Sequence, residues 1–449
     1  MSDFESVVSR VSERVTPDAA ERDRLDAAVE RLTERVQKAV ADLPVEASVA
    51  QVGSTARGTW LADDRDIDLF VQFPPDLDRT DLERYGLAVG RDALPDGHEE
   101  YAEHPYVTGT IDGFDVDLVP CYDVADATQI QSAVDRTPFH DAYLQERLDE
   151  DSARDVRLFK AFLTGIGAYG SDLRTRGFSG YLSELLVLEY GGFEPLLRAA
   201  ADWHPPVRLD PESHGTATFD HPLVVIDPTD PERNVAAVCS AANVARLQHY
   251  ARALLADPRA SLFVPTDPDP LDDEGVRIHL DRRGTTPVAV VFETPTLVDD
   301  QLYPQLRKSL DGVSGELDRR GFAPLRTAAF ADDRAVLLVE LAVAELAAIT
   351  RHDGPPVDVR EHATGFYDTY QERDVYGPFL DVDRYVVERD REFTTPADLL
   401  ASDALFDVAL GAQVEGRLEE GYDLLVGDEV ATLADEFGVE LARYFDPRP

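Results

Sequence analysis

Cysteine is almost absent: Cys121 and Cys239 are the only two in 449 residues. That excludes a disulfide-stapled scaffold or a cysteine-based metal cluster, and it suits a reducing, cytoplasmic setting. No run of about 20 apolar residues occurs, so no membrane-spanning helix is expected. The opening residues, MSDFESVVSR, lack the apolar stretch of a secretion signal. Lysine is nearly missing too. Only Lys38, Lys160 and Lys308 occur, so arginine carries nearly all the positive charge. Against 43 Lys and Arg stand 88 Asp and Glu, for a net charge of −45. A hydrophobic fraction of 43% is too high for a disordered acidic chain. A folded, acidic, lysine-poor chain reads as adapted to multimolar salt, where the Debye length shrinks to about 3 Å or less and self-repulsion is screened. In that solvent the charge does not exclude a nucleic-acid partner.

Two acidic stretches stand out, residues 61–73 and 109–121, the first preceded by a glycine-serine turn. Residues 51–60 read QVGSTARGTW and residues 61–73 read LADDRDIDLFVQF. On a strand, side chains alternate faces, so Asp66 and Asp68 point one way while Ile67 points into the sheet. Two carboxylates about 4 Å apart, at an effective dielectric of about 20, repel by roughly 4 kcal/mol. A hard divalent cation removes that cost, and Mg²⁺ favours carboxylate plus phosphate oxygens. Gly53-Ser54 supplies a turn through which backbone amides approach a phosphate. Ser54 adds a hydroxyl donor and Arg57 a fixed charge. A tight turn before a solvated acidic strand would contain the same residues; the glycine-serine pair and the apolar flanks favour the metal site. Residues 109–121, GTIDGFDVDLVPC, read as a hairpin turning at Asp112-Gly113. Phe114, Val116 and Leu118 face one side, and Asp115 and Asp117 the other. Paired beside the first strand, this one adds a third carboxylate, which fits two-metal phosphoryl or nucleotidyl transfer. An ordinary edge hairpin is the alternative.

Periodicity accounts for much of the rest. Thr16-Pro17 reads as N-cap and first helical residue, followed by a stripe of Leu25, Val29, Leu32, Val36 and Val40 that ends at Pro44. A short strand over 47–52 and a helix over 78–93 flank the acidic strand. Residues 141–190 read as helices, 219–226 as a strand entering a turn over 227–234, and 235–256 as a helix. Residues 265–270, PTDPDP, read as a linker. Beyond it, a strand over 287–293, a helix over 303–319 and a hairpin over 323–343 give a β-α-β-β order. That order suggests a small open sheet of RNA-recognition type, without the paired aromatics that stack bases. Residues 365–388 mix tyrosines with arginines, and 396–445 read as helical.

The spacing of a Gly-Ser turn, an Asp-x-Asp about twelve residues on and a later strand aspartate resembles the DNA polymerase beta-like nucleotidyltransferase superfamily. The finer text resembles the archaeal (class I) CCA-adding enzymes, which are tRNA nucleotidyltransferases. The matching segments are VGSTARGTW, DIDLFVQFP, YAEHPYVTG, VDLVPCY, DRTPFH, LFKAFLTGIGAYG, FSGYLSELL, DPTDPERNVAA and ERDVYGPFLDVDRYVVE. The resemblance implies an α+β multidomain chain. Residues 1–140 would form a nucleotidyltransferase head with a mixed sheet. Residues 141–260 would form a helix-rich central domain walling the nucleotide site. Residues 261–449 would form an RNA-recognition-type body with a tail that binds tRNA. It implies template-independent addition of C, C and A to tRNA 3′ ends from CTP and ATP, with Mg²⁺ as cofactor. The family often forms homodimers, and no dimer seam is legible here.

Residue by residue, Asp66, Asp68 and Asp117 match the family's metal-binding catalytic carboxylates, and Asp115 matches a flanking position. Ser54, Arg57, Thr137 and His140 match its triphosphate contacts. Lys160 and Tyr169 match further phosphate contacts, and Arg233 matches the arginine that helps read the incoming base. Without the resemblance, His140 reads as a helix-start histidine packed beside Phe139. Lys160, one of three lysines and set among Val156, Phe159 and Leu163, reads as a basic group facing a phosphate. Tyr101 and His104 lie in a matching segment without a role. Another RNA nucleotidyltransferase, poly(A) polymerase-like, is the nearest rival. A noncatalytic RNA-binding or sensor protein with the same head is a further one, against which the intact Asp66, Asp68 and Asp117 argue.

Overall fold

Helix α1 (Asp3–Val15) turns Val7, Val11 and Val15 to one side at helical spacing, and all three are buried. A computed structural model describes residues 3–62, 64–101 and 103–449. Helix α2 (Ala19–Ala41) begins after Asp18, whose carboxylate accepts from the Glu21 amide at 2.7 Å. The cap is therefore Asp18 rather than Thr16, because its side chain reaches the free amide three residues on. Leu25, Leu32 and Val36 form the buried stripe of α2.

A five-stranded sheet follows. Strand β1 (Ser48–Val52) leads into the one-turn helix α3 (Gly53–Arg57), and then come β2 (Asp66–Phe73) and helix α4 (Arg79–Ala93). Strands β3 (His98–Tyr101), β4 (Pro105–Ile111) and β5 (Phe114–Tyr122) complete it. Asp112 and Gly113 both have positive φ, the conformation a two-residue hairpin turn of this hand needs. The order is β1-β2-β5-β4-β3, and within it only β2 and β5 run parallel. Ile67, Leu69, Val71 and Phe73 of β2 share a core with Val116 and Leu118 of β5, Leu32 and Val36 of α2, and Leu82 and Val89 of α4. The period-2 alternation leaves Asp66, Asp68, Asp115 and Asp117 on the opposite face.

Helices α5 (Thr137–Gln145), α6 (Glu150–Gly165), α7 (Gly180–Tyr190), α8 (Phe193–Ala201) and α9 (Ala241–Ala256) build a second core. Val7, Val11 and Val15 of α1 belong to this core and not to the sheet's. Leu182 through Val187 of α7 are buried all round, so this segment shows no single apolar stripe. Strands β6 (Val207–Leu209), β7 (Leu223–Asp227) and β8 (Asp230–Asn234) form a small sheet against it. Residues 230–234 read as turn from sequence but pair antiparallel with β7. The helix expected from 235 starts at Ala241, capped by Ser240. Buried Asn234 explains the delay: its side chain bonds the Val225 amide at 2.9 Å and the Leu223 carbonyl at 3.1 Å, holding the backbone extended.

The chain divides into a second unit at Asp267, inside the proline-rich segment 265–270. That unit contains α10 (Asp273–Arg283), β9 (Thr286–Glu293), α11 (Asp299–Arg320), β10 (Pro324–Ala331) and β11 (Arg334–Leu341). A smaller sheet follows, of β12 (Ile349–Pro356), β13 (Tyr376–Asp381) and β14 (Arg384–Asp390), with α12 (Arg360–Tyr370) packed on it. Helices α13 (Pro396–Leu400) and α14 (Ala412–Glu420), strand β15 (Asp423–Val426) and helix α15 (Ala434–Phe445) close the unit. Residues 423–426 read as helical from sequence, yet they pair with β9 at the sheet edge, giving the antiparallel order β10-β11-β9-β15. This is the βαββ order of RNA-recognition sheets with a fourth strand supplied from far along the chain. Val288, Val290 and Phe292 pack under Leu306, Val313 and Leu317 of α11. Ala289 and Val291, on the other face, pack under Leu280 of α10 and Phe437 and Leu441 of α15. Both faces are covered, which accounts for the absence of base-stacking aromatics on these strands.

Candidate active site

The parallel pairing of β2 and β5 assembles the acidic face. Its register sets Asp66 beside Asp115 and Asp68 beside Asp117. Asp68 and Asp117 are half-buried, while Asp66 and Asp115 are exposed. Burial, followed by the Asp117 and Asp66 carboxylates, pushes the Asp68 carboxyl up to about 7, with Arg57 pulling the other way. Burial also raises Asp117, against a hydrogen bond from Thr108. Asp64, next to the strand, is raised to about 6 by burial and by Asp66.

Gly53 closes this face from the side. Its φ is +81°, and a Cβ there would fall 2.1 Å from Asp68 Oδ2. The turn backbone therefore lies directly against the carboxylate, and only glycine fits. Among the described residues no three His, Cys, Asp or Glu side chains close into a ready-made metal cage. The donor set nevertheless suits a hard cation. It consists of carboxylate oxygens on one open face, whose mutual repulsion a divalent ion would relieve, and Mg²⁺ keeps several waters rather than a full protein cage.

Beside the carboxylates lies a buried ionic cluster. Glu184, on the apolar helix α7, has no exposed surface. Its Oε2 accepts from Arg57 Nη2 at 2.8 Å, and its Oε1 faces Lys160 Nζ at 3.5 Å and accepts from the Thr59 hydroxyl. Arg57 Nη1 pairs with Asp141. Lys160 Nζ also donates to the Thr59 carbonyl at 3.2 Å. Burial works to raise the Glu184 carboxyl, but Lys160, Arg57 and Thr59 outweigh it and hold the group below the usual glutamate range. Burial lowers Lys160. Arg57 and Lys160 are thus tied to protein carboxylates rather than pointing freely from the surface. The Tyr169 hydroxyl and Lys160 Nζ lie 3.3 and 3.7 Å from where a Gly180 Cβ would sit, so Tyr169 joins this group. Ser54 lies within α3, and Thr137 opens α5.

His140 and Arg233 meet on Asp227 at the end of β7. His140 Nε2 and Arg233 Nη1 each stand 2.7 Å from Asp227 Oδ2. The His140 ring stacks on Tyr181 with centroids 3.9 Å apart, and not on Phe139. Burial lowers the His140 pKa, against the pull of Asp227. Tyr101 is 77% exposed, and His104 is buried edge-on to Tyr122. Sequence reasoning did not single out Glu184, Asp141, Asp227 or Tyr181. The available signal was a lone acid in an apolar setting: Glu184 in YLSELLVL and Asp227 closing LVVID.

Three family models match the chain. "Nucleotidyltransferase domain" matches residues 31–140, "tRNA nucleotidyltransferase, second domain" residues 154–264, and "CCA-adding enzyme, C-terminal domain" residues 283–427. Among curated proteins, the CCA-adding enzyme of Haloarcula marismortui is 62% identical and that of Halorubrum lacusprofundi 63%, each aligned over 100% of both chains. The CCA-adding enzyme of Methanosarcina barkeri is 40% identical over 97% of both.

Proposed function

The chain belongs to the CCA-adding enzymes, nucleotidyltransferases that add C, C and A to the 3′ end of tRNA, and we propose from this how its residues carry out that addition. Asp66, Asp68 and Asp117 would hold Mg²⁺, two ions in this reading. The observation that carries this assignment is the β2–β5 register, with Asp68 and Asp117 side by side and the Gly53 backbone against Asp68. Mg²⁺ bound there supplies activation of the tRNA 3′-hydroxyl and charge neutralisation for the departing pyrophosphate. The 3′-hydroxyl of tRNA attacks the α-phosphate of CTP or ATP, and pyrophosphate leaves.

The chain's own groups do the positioning. Ser54 and the first amides of α3 meet the triphosphate, with Thr137 and His140 on α5. Lys160, Tyr169 and Arg57 border it. Glu184 and Asp141 hold Arg57 in place, so its charge is set before substrate arrives. Arg233 reads the base edge. We carry the division into a head (1–140), a central domain (141–260) and a tRNA-binding body with tail (261–449) as part of the same reading, together with a cytoplasmic location. No helix among the described residues is long and apolar enough to cross a membrane.

The test uses purified protein in high KCl with Mg²⁺, a tRNA lacking its 3′ end and labelled CTP or ATP. Three-step extension that needs CTP before ATP, abolished by Asp68→Ala in a folded protein, is the expected result. Extension that survives Asp68→Ala removes the carboxylate assignment.

A further inference from the structure

Asp227 is the last residue of β7, a strand buried along its whole length. Its side chain has no exposure. Burial alone would push its carboxyl up, but hydrogen bonds from His140 and Thr229 hold it well below the usual range, so a full negative charge sits inside the protein. The two oxygens are used differently. Oδ1 is filled by its own turn, accepting from the Thr229 amide at 2.9 Å and the Thr229 hydroxyl at 2.8 Å, with the Tyr181 hydroxyl at 3.5 Å. Oδ2 takes two side chains from different elements, His140 Nε2 on α5 and Arg233 Nη1 on β8. Tyr181 clamps the His140 ring flat, with planes 14° apart.

Among the described residues, Arg233 is anchored at one end only. Nη1 is spent on Asp227, while 36% of the side chain is open to solvent. A guanidinium is a rigid plane with five N–H donors, so holding Nη1 restricts where the remaining donors can point. Cytosine and adenine share an unprotonated ring nitrogen on the Watson–Crick edge, N3 in one and N1 in the other. Uracil and guanine carry an N–H there. A donor held at one angle donates to the ring nitrogen of the first pair and opposes the N–H of the second.

We propose that Asp227 is a specificity-determining positioning residue: through Oδ2 it fixes the Arg233 plane toward the incoming base and ties that plane to His140. This rests on Arg233 being the base-reading residue. Loosening Arg233 lets it swing away from an opposing N–H, so discrimination falls even where catalysis survives. The expected loss is about 10- to 100-fold in the kcat/KM ratio of CTP to UTP, the scale on which one misplaced polar contact discriminates.

The experiment measures single-nucleotide incorporation on a tRNA awaiting C and on one awaiting A. Both CTP against UTP and ATP against GTP are compared, for the full chain and for Asp227→Asn, Asp227→Glu and Arg233→Ala. A fall in both ratios for Asp227→Asn is expected. If kcat/KM falls equally for all four nucleotides with the ratios unmoved, Asp227 is structural and the inference is overturned. If Arg233→Ala shifts the ratios and Asp227→Asn does not, the base-reading role stands and the positioning role fails. If Arg233→Ala leaves them unmoved, the base-reading role has failed and the inference goes with it. Should Asp227→Asn not fold, Asp227→Glu decides. It keeps the negative charge but moves the carboxylate by one methylene away from its place under Arg233, and shifted ratios support the inference while unmoved ratios overturn it.

Discussion

Replacing Gly53 by alanine separates the geometry of the carboxylate face from the stability of the fold. Two penalties act at this position. A non-glycine residue at positive φ costs about 1–2 kcal/mol of stability. The new methyl would also fall 2.1 Å from Asp68 Oδ2, with Asp68 Cγ at 3.1 Å and Cβ at 3.4 Å. Real contacts of this kind lie beyond 3.0 Å, so the carboxylate oxygen must retreat by about 0.9 Å. It sits at the end of a short side chain and can turn aside without unfolding the strand. A misplacement of about 1 Å costs on the order of 100-fold in rate, which is about 2.7 kcal/mol of transition-state stabilisation. Gly58 is the control. Its φ is +68° and nothing lies within 4 Å of its would-be Cβ. Gly53→Ala and Gly58→Ala should therefore lose similar stability in urea unfolding at high KCl. CCA addition, as kcat/KM for CTP, should drop about 100-fold in Gly53→Ala and stay within about threefold of the parent in Gly58→Ala. Equal activities in the two variants would refute the claim that the turn packs against a working carboxylate.

Other consequences follow from the same contacts. Glu184→Gln strips the charge that holds Arg57 and Lys160 inside the protein, and breaking such a buried pair costs about 3–5 kcal/mol. Because the folded-state pKa of Glu184 is depressed, its stabilisation is present above the ordinary glutamate pKa and is lost as pH falls through the lower folded value. The gap between parent and variant in urea midpoints should accordingly close in acid; a gap that widens there contradicts the assignment. Asp117→Asn should reduce kcat by on the order of 10³ or more, as expected for a metal ligand. Asp115→Asn, on the same strand but exposed, should stay near the parent, and equal losses would mean the two are not distinguished by role. In multimolar salt, tRNA affinity must come from shape, aromatic contacts and arginine hydrogen bonds. Raising KCl from about 1 to about 3 M should change Kd less than about tenfold, whereas six phosphate contacts would change it about 100-fold.

Much of the catalytic head was legible in the linear order of residues. The alternation in DIDLFVQF marked a strand with two carboxylates on one face, and Asp112-Gly113 marked the hairpin turn. The stripe in residues 79–93 marked a helix, and the family segments pointed to the chemistry. These signals are local, because the periods of 2 and 3.6 residues belong to single elements. Tertiary structure alone decided which elements meet. The parallel register that sets Asp68 beside Asp117 spans 49 positions, and no periodicity encodes it. Neither does any local pattern send α1 into the helical core, make residues 230–234 a strand, or bring residues 423–426 back to the edge of β9. Glu184 and Asp227 carry the same lesson. In sequence each is one acid at an apolar position. Burial makes an unpaired charge prohibitively costly, so packing gathered Arg57, Lys160 and Thr59 around one, and His140, Arg233 and Thr229 around the other.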